Sequence, residues 1–189
     1  MWNFIIFLLI VLLISILGAL VVGYYLSLAK LQSRLNRYLF NIQDELEIKA
    51  DLIDNLLNTG TNFENEFEIN NLLNSLNYAD SLKEQAKINE DLYSYLENIS
   101  HIPEDFSNKK TEKLIFDLNE SDEFLFRNQE LYNNTVYNYN HKLKVFPSKW
   151  VASYFGFKHA EYFTVEETIP DPQMNLNHLH PEENLSQIE

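Results

Sequence analysis

Cysteine is absent from the 189 residues, which removes disulfides, thiolate metal ligands and a cysteine nucleophile together and leaves the redox compartment open. Glycine and proline are scarce, at four and five residues. Pro103, Pro147, Pro170, Pro172 and Pro181 all fall outside the long stretches of periodic apolar residues, a distribution that favours a few long helices. Positive charge is the minority sign: 14 Lys and Arg stand against 28 Asp and Glu, for a formal charge of -14. A surface of that average sign repels polyanions, so nucleic acid is not an expected partner. No side chain from Met1 to Ala29 carries any charge.

Within that uncharged segment, Phe4 to Val22 is an apolar run broken only by Ser15, Gly18 and Ala19. As a helix it rises roughly 28 Å, close to the ~30 Å of hydrocarbon that a spanning helix must cross. Trp2 at one end and Tyr24 and Tyr25 at the other occupy the two headgroup levels, where amphipathic rings prefer to sit. A cleaved secretory signal is the rival reading, but the segment has no basic n-region and exceeds the usual apolar length of such a signal. Lys30, Arg34 and Arg37 follow the apolar run directly, and cations are retained on the cytoplasmic side. The expectation is a single-pass anchor over residues 1–29, with the N-terminus outside, the rest in the cytoplasm and the lipid bilayer as partner.

The predicted fold class is all-α: the spanning helix continues into an antiparallel helical bundle over residues 30–163, with three long helices and a short C-terminal one. Leu28, Leu31, Leu35, Leu39, Ile42, Leu46, Ala50, Ile53 and Leu57 recur at three- and four-residue steps, and no breaker separates them from the apolar run. Gly60 then supplies a left-handed cap, and Thr61 to Glu64 fits a capping box for the next helix. That second helix is expected to run unbroken from Asn62 to Ile99, with Phe63, Phe67, Leu73, Leu82 and Leu92 among its inward residues. Pro103 stops it, and Ser107 can cap a third helix bearing Leu114, Leu118, Leu125, Tyr132, Val136, Tyr139 and Leu143 on one face.

Pro147-Ser148 and Gly156 bracket a short fourth helix whose Trp150, Val151, Tyr154 and Phe155 are expected to close the end of the core. From Thr164 the periodicity stops, proline recurs and acidic residues face no cation. Residues 164–189 are therefore expected to form a flexible acidic tail.

One ordered set of residues is specific. Tyr132-Asn133 and Val136 are followed by Asn140, then Phe146-Pro147-Ser148, then Ala152, then Phe155-Gly156-Phe157 and Tyr162-Phe163. This pattern resembles the LemA family of bacterial membrane-anchored proteins. The segment from Glu45 to Leu57 and the N-terminal span are also similar to that family. The resemblance implies a helical bundle on one span, with a cytoplasmic domain and no established enzymatic activity; it supplies no catalytic residue and no cofactor.

For the Tyr132 to Phe157 set, a docking surface between the third helix and the lid is the functional reading. The structural reading has Tyr and Asn bonding neighbouring helix ends while aromatics fill the core. His178 and His180, with Glu182 and Glu183, are metal-ligating residue types, but nothing in an acidic tail orients them. The run starting at Asp117 opens like a calcium loop, yet Asp122 replaces its turn glycine and Asn128 its bidentate glutamate. No phosphate-cradling glycine motif, zinc-protease helix or nucleophile elbow occurs. The expected function is a non-enzymatic scaffold or adaptor with no metal or cofactor, bound to a protein or envelope partner. The alternative is an accessory factor in envelope remodelling or signalling with a ligand pocket in the bundle.

Overall fold

A computed structural model describes residues 1–59, 65–97 and 109–165. The described residues are all-α, as the periodicity requires. Five helices follow in order: α1 (Trp2–Leu57), α2 (Glu66–Leu76), α3 (Leu82–Glu97), α4 (Lys109–Lys144) and α5 (Ser148–Phe155). Gly60, the capping box at Thr61 to Glu64, the Pro103 stop, the Ser107 cap and the tail histidines lie outside the described residues.

The chain forms two compact units. The first comprises Met1–Gln43 and Asn128–Glu161. In it α1 and α4 are antiparallel and in register. Asn41 Nδ2 donates to Asn128 Oδ1 at 3.2 Å, and Lys142 Nζ donates to Ser27 Oγ at 2.5 Å. Fourteen residues, two heptads, separate Ser27 from Asn41 and Asn128 from Lys142 alike, so the two helices advance together.

The second unit comprises Asp44–Arg127 and Tyr162–Glu189. Its core joins Ile53, Leu56 and Leu57 of α1, Ile69 of α2, Ile88 and Leu92 of α3, and Leu118 of α4. Burying each such side chain contributes roughly 1.5 to 3 kcal/mol, and no helix here has an apolar stripe that water would leave stable.

The segment expected as one second helix is two. After Leu76 the chain tightens into i→i+3 bonds, with Asn77, Tyr78 and Ala79 N–H donating to the Asn74, Ser75 and Leu76 carbonyls. Ser81 then starts α3: its Oγ accepts from Glu84 N–H at 3.2 Å, while Glu84 Oε2 accepts from Asp80 N–H at 3.1 Å. The Ser81 hydroxyl thus caps α3 while the Glu84 carboxylate holds the residue before it, and together they start a new helix without glycine or proline. The buried face of α2 also differs from the expected one. Phe67, expected inward, is 73 % exposed, and Ile69 takes the core position on α2.

Burial along the two long helices follows a period of seven. Leu28, Leu35, Ile42, Lys49 and Leu56 of α1 are buried, as are Thr111, Leu118, Leu125, Tyr132 and Tyr139 of α4. A 3.5-residue spacing keeps one seam on the partner along a long helix. It passes through Lys49, where the sequence stripe had passed through Ala50, which is only half-buried. The calcium-like run from Asp117 lies within α4 and forms no loop.

Candidate functional site

From Tyr132 to Phe157 the family-like set lies in the first unit, on the C-terminal half of α4, on α5 and on the segment after it, while Tyr162 and Phe163 belong to the second. Tyr132, Val136, Ser148 and Ala152 are buried, while Asn133 and Asn140 are half-buried. The polar groups of Tyr132 and Asn140 are turned onto the chain's own backbone. Tyr132 Oη donates to the Glu161 carbonyl at 2.9 Å. Asn140 grips Ala160 twice, with Nδ2 donating to its carbonyl and Oδ1 accepting from its N–H, both at 2.9 Å. A segment without helical periodicity is thereby sewn to α4, because its backbone groups find partners they would otherwise lack.

Burial, and secondarily the charge of Glu161, pushes the Tyr132 phenol up to about 12. Burial likewise raises Tyr139.

The bond from Phe146 to Pro147 is cis, and Pro147 precedes α5 as its N-cap without a side-chain cap bond. Gly156 ends α5 at φ 74°, the left-handed region, and its N–H bonds the Ala152 carbonyl. This C-terminus is the one the glycine predicts. The turn brings Phe155 and Phe157 onto Tyr25 of α1, with ring centroids 4.7 and 5.8 Å apart. Tyr25 is thus both the end of the apolar run and a packing partner of α5, a role its position in the sequence did not indicate.

The other aromatics do not close a core. Trp150 is 71 % exposed, Tyr154 84 % and Phe146 68 %. Only Val151 and Ala152, with Ser148, form the inward face of α5. Phe146 and Trp150 pack edge to face at 5.1 Å, and Tyr154 and Phe155 do so at 5.0 Å. They pair with one another on the outside of the helix.

At the far end of α1, Trp2 is exposed, and Tyr24 is half-buried beside Tyr25. Lys30, Arg34 and Arg37 are exposed on the turns that follow, with the Arg37 guanidinium 5.3 Å from the Tyr38 ring centroid. Charge is distributed unevenly. The first unit holds half of the chain's Lys and Arg, adding Lys142, Lys144, Lys149 and Lys158 to these three, yet its only acids are Glu130 and Glu161.

In the second unit, Lys49 is a buried polar centre that the sequence stripe missed. Its ammonium, on a side chain 1 % exposed, donates to Asp122 Oδ1 at 2.5 Å and Asn89 Oδ1 at 2.9 Å. It ties α1, α3 and α4. Burial holds it below the usual lysine range, an effect that the charge and hydrogen bond of Asp122 oppose. Counting sevens from Leu28 is the signal that could have found it.

Among the described residues, one helix is long and apolar enough to cross a membrane, and none of its most apolar window is buried. The same residues contain no group of three or more His, Asp or Glu placed to hold a metal ion. Comparison with family models matches residues 39–175, nearly three quarters of the chain, to the LemA family. The match begins inside α1, beyond the apolar run, and includes the α2 and α3 region that the motif left uncovered. Comparison with curated protein sequences finds no match.

Proposed function

Because this chain belongs to the LemA family, we propose that it is a membrane-anchored, non-enzymatic scaffold or adaptor that binds a protein or envelope partner. In this reading α1 crosses the bilayer once, with the N-terminus outside and the other helices in the cytoplasm. The observation that carries it is the continuity of α1. The side chains from Trp2 to Val22 are exposed, Leu28 is fully buried by protein, and no break lies between them. An apolar surface that no protein covers is stable in lipid, and the helix that leaves the lipid is itself a core helix of the first unit.

Orientation rests on Lys30, Arg34 and Arg37 beside the span. The non-enzymatic reading draws support from the use of the conspicuous polar groups. Tyr132 and Asn140 bond backbone, and Lys49 bonds two side chains of its own unit.

Fractionation and proximity labelling test these points together. The chain should resist carbonate extraction, its domain should survive external protease on protoplasts, and labelling from the domain should mark one abundant cytoplasmic-side protein. Recovery in a salt-soluble fraction would remove the anchor. Digestion by external protease would reverse the orientation, and labelling of no protein above background would remove the adaptor role.

A further inference from the structure

We propose that α5 is an interfacial helix: its exposed aromatic face lies in the headgroup layer of the bilayer that α1 spans, and the surrounding lysines bind anionic lipid. The proposal rests on the anchoring reading above and adds a second, independent membrane contact.

Three observations converge on it. The first is depth. From Phe4 to Tyr25, α1 rises roughly 32 Å, so Tyr25 leaves the hydrocarbon at the headgroup level if Phe4 enters it on the other side. Phe155 and Phe157 touch Tyr25. Contact between rings fixes the C-terminal end of α5 within one ring diameter of that level, inside the same compact unit.

The second is the composition of the outer face. Phe146, Trp150, Tyr154 and Phe155 are all exposed. A water-facing helix gains nothing from Trp150 and Tyr154 turned outward with Phe146 packed beside them, whereas the interface is where Trp and Tyr are favoured, their rings in the acyl boundary and their polar atoms wet. Val151 and Ala152 meanwhile dock the opposite face on protein. The helix is therefore held with its aromatic side outward and cannot roll to hide it.

The third is charge. Lys144, Lys149 and Lys158 are exposed around these rings in a chain whose net charge is -14. Nearly all of the acids lie in the other unit. Basic residues at a cytoplasmic leaflet each contribute on the order of 1 kcal/mol with anionic lipid, and the effect falls within a Debye length. A surface that repels anions on average thus presents an attractive patch where the membrane is.

The chain has two tryptophans, so Trp2→Phe leaves Trp150 as the sole indole in the full-length protein. This variant is reconstituted into vesicles of phosphatidylcholine with and without phosphatidylglycerol, and Trp150 emission is read with lipids brominated near the headgroup end of the acyl chain. Bromolipid should quench it about twofold or more, as for an interfacial indole, and acrylamide should quench it less than in the urea-unfolded chain. Adding phosphatidylglycerol should deepen the bromolipid quenching, and replacing Lys144, Lys149 and Lys158 with Gln should abolish that increment.

An indole unquenched by bromolipid but open to acrylamide, in vesicles that still carry the protein through flotation and carbonate washing, overturns the interfacial role and leaves the anchor intact. Loss of the protein on carbonate washing overturns both readings. A photoreactive phenylalanine at Tyr154 gives a cellular readout: lipid adducts support the proposal, and a protein adduct without lipid overturns it in favour of a docked partner.

Discussion

Asn140 and Ala160 are joined through both polar atoms of one side-chain amide, which donates to and accepts from the same residue's backbone. This geometry has no substitute among the other amino acids at that position. Asp lacks the donor, Leu lacks both groups, and Gln places the amide one methylene too far out. Each unmade bond to a partly buried backbone group costs on the order of 1 to 2 kcal/mol. Asn140→Asp should therefore destabilise the first unit by about half as much as Asn140→Leu. Amide hydrogen exchange should show it first at Ala160, whose N–H the Asp variant still pairs and the Leu variant frees. Equal protection of Ala160 in both variants would remove the clamp.

Tyr132 makes stability depend on alkaline pH. Its phenol is held near 12 in the fold against an ordinary 10, for burial first and the Glu161 charge second. The folded state keeps a proton that the unfolded state gives up. The contribution is complete below pH 10 and is lost as pH rises towards 12. Tyr132→Phe forfeits the bond to the Glu161 carbonyl and should be less stable than the parent at neutral pH by about 1 to 2 kcal/mol. In denaturant titrations of the full chain in nanodiscs, that gap should close between pH 10 and 12. A gap constant over the window would mean that the phenol ionises as readily folded as unfolded.

Much of this architecture is legible in the sequence because burial obeys helical time. The stripe from Leu28 to Leu57 and the face from Leu118 to Leu143 are buried or half-buried as their spacing requires, and Gly156 ends α5 where a left-handed residue is needed. What was not legible has definite causes. The break before α3 is made by Ser81 and Glu84 side chains, with neither glycine nor proline to mark it. Lys49 sits at a seven-residue repeat position that hydrophobicity alone passes over, one residue from Ala50. The partners of Tyr132 and Asn140 are backbone groups of a segment with no periodicity, and side-chain pattern carries no information about them. Residue type alone places the rings of α5 in a core, but type speaks of average burial and not of which face a short helix presents.

Gly156 tests how firmly the end of α5 is placed. Its φ of 74° lies in the left-handed region, and a β-carbon there would meet nothing within 4 Å. The penalty for a side chain is then purely conformational. Gly156→Ala should cost about 1 kcal/mol and Gly156→Asn less, since Asn tolerates this region. Thermal unfolding should rank the three chains Gly, Asn, Ala. A larger loss for Ala would point to a steric neighbour that the open surroundings of Gly156 do not contain.

Lys49 and Asp122 should respond asymmetrically to substitution. Asp122→Asn leaves an ammonium in a nearly dry site with no counter-charge, a loss of about 3 kcal/mol, because a buried charge without its partner is the costly species. Lys49→Met fills the same heptad position with a chain of similar length and leaves Asp122, whose side chain is 20 % exposed, to water; the cost should be about 1 kcal/mol. The two variants also differ in pH dependence. Burial already lowers Lys49, and Asp122 opposes that lowering, so removing the carboxylate drives the folded-state value lower still. Between that value and the unfolded 10.5 the unfolded chain binds more protons, and stability rises with pH. Asp122→Asn should therefore recover stability as pH climbs towards 10.5, more steeply than the parent, whereas Lys49→Met should show no such recovery. Paired denaturation curves at pH 7 and pH 9.5 decide the matter: parallel behaviour of the two variants would show that Lys49 is not held as a buried charge.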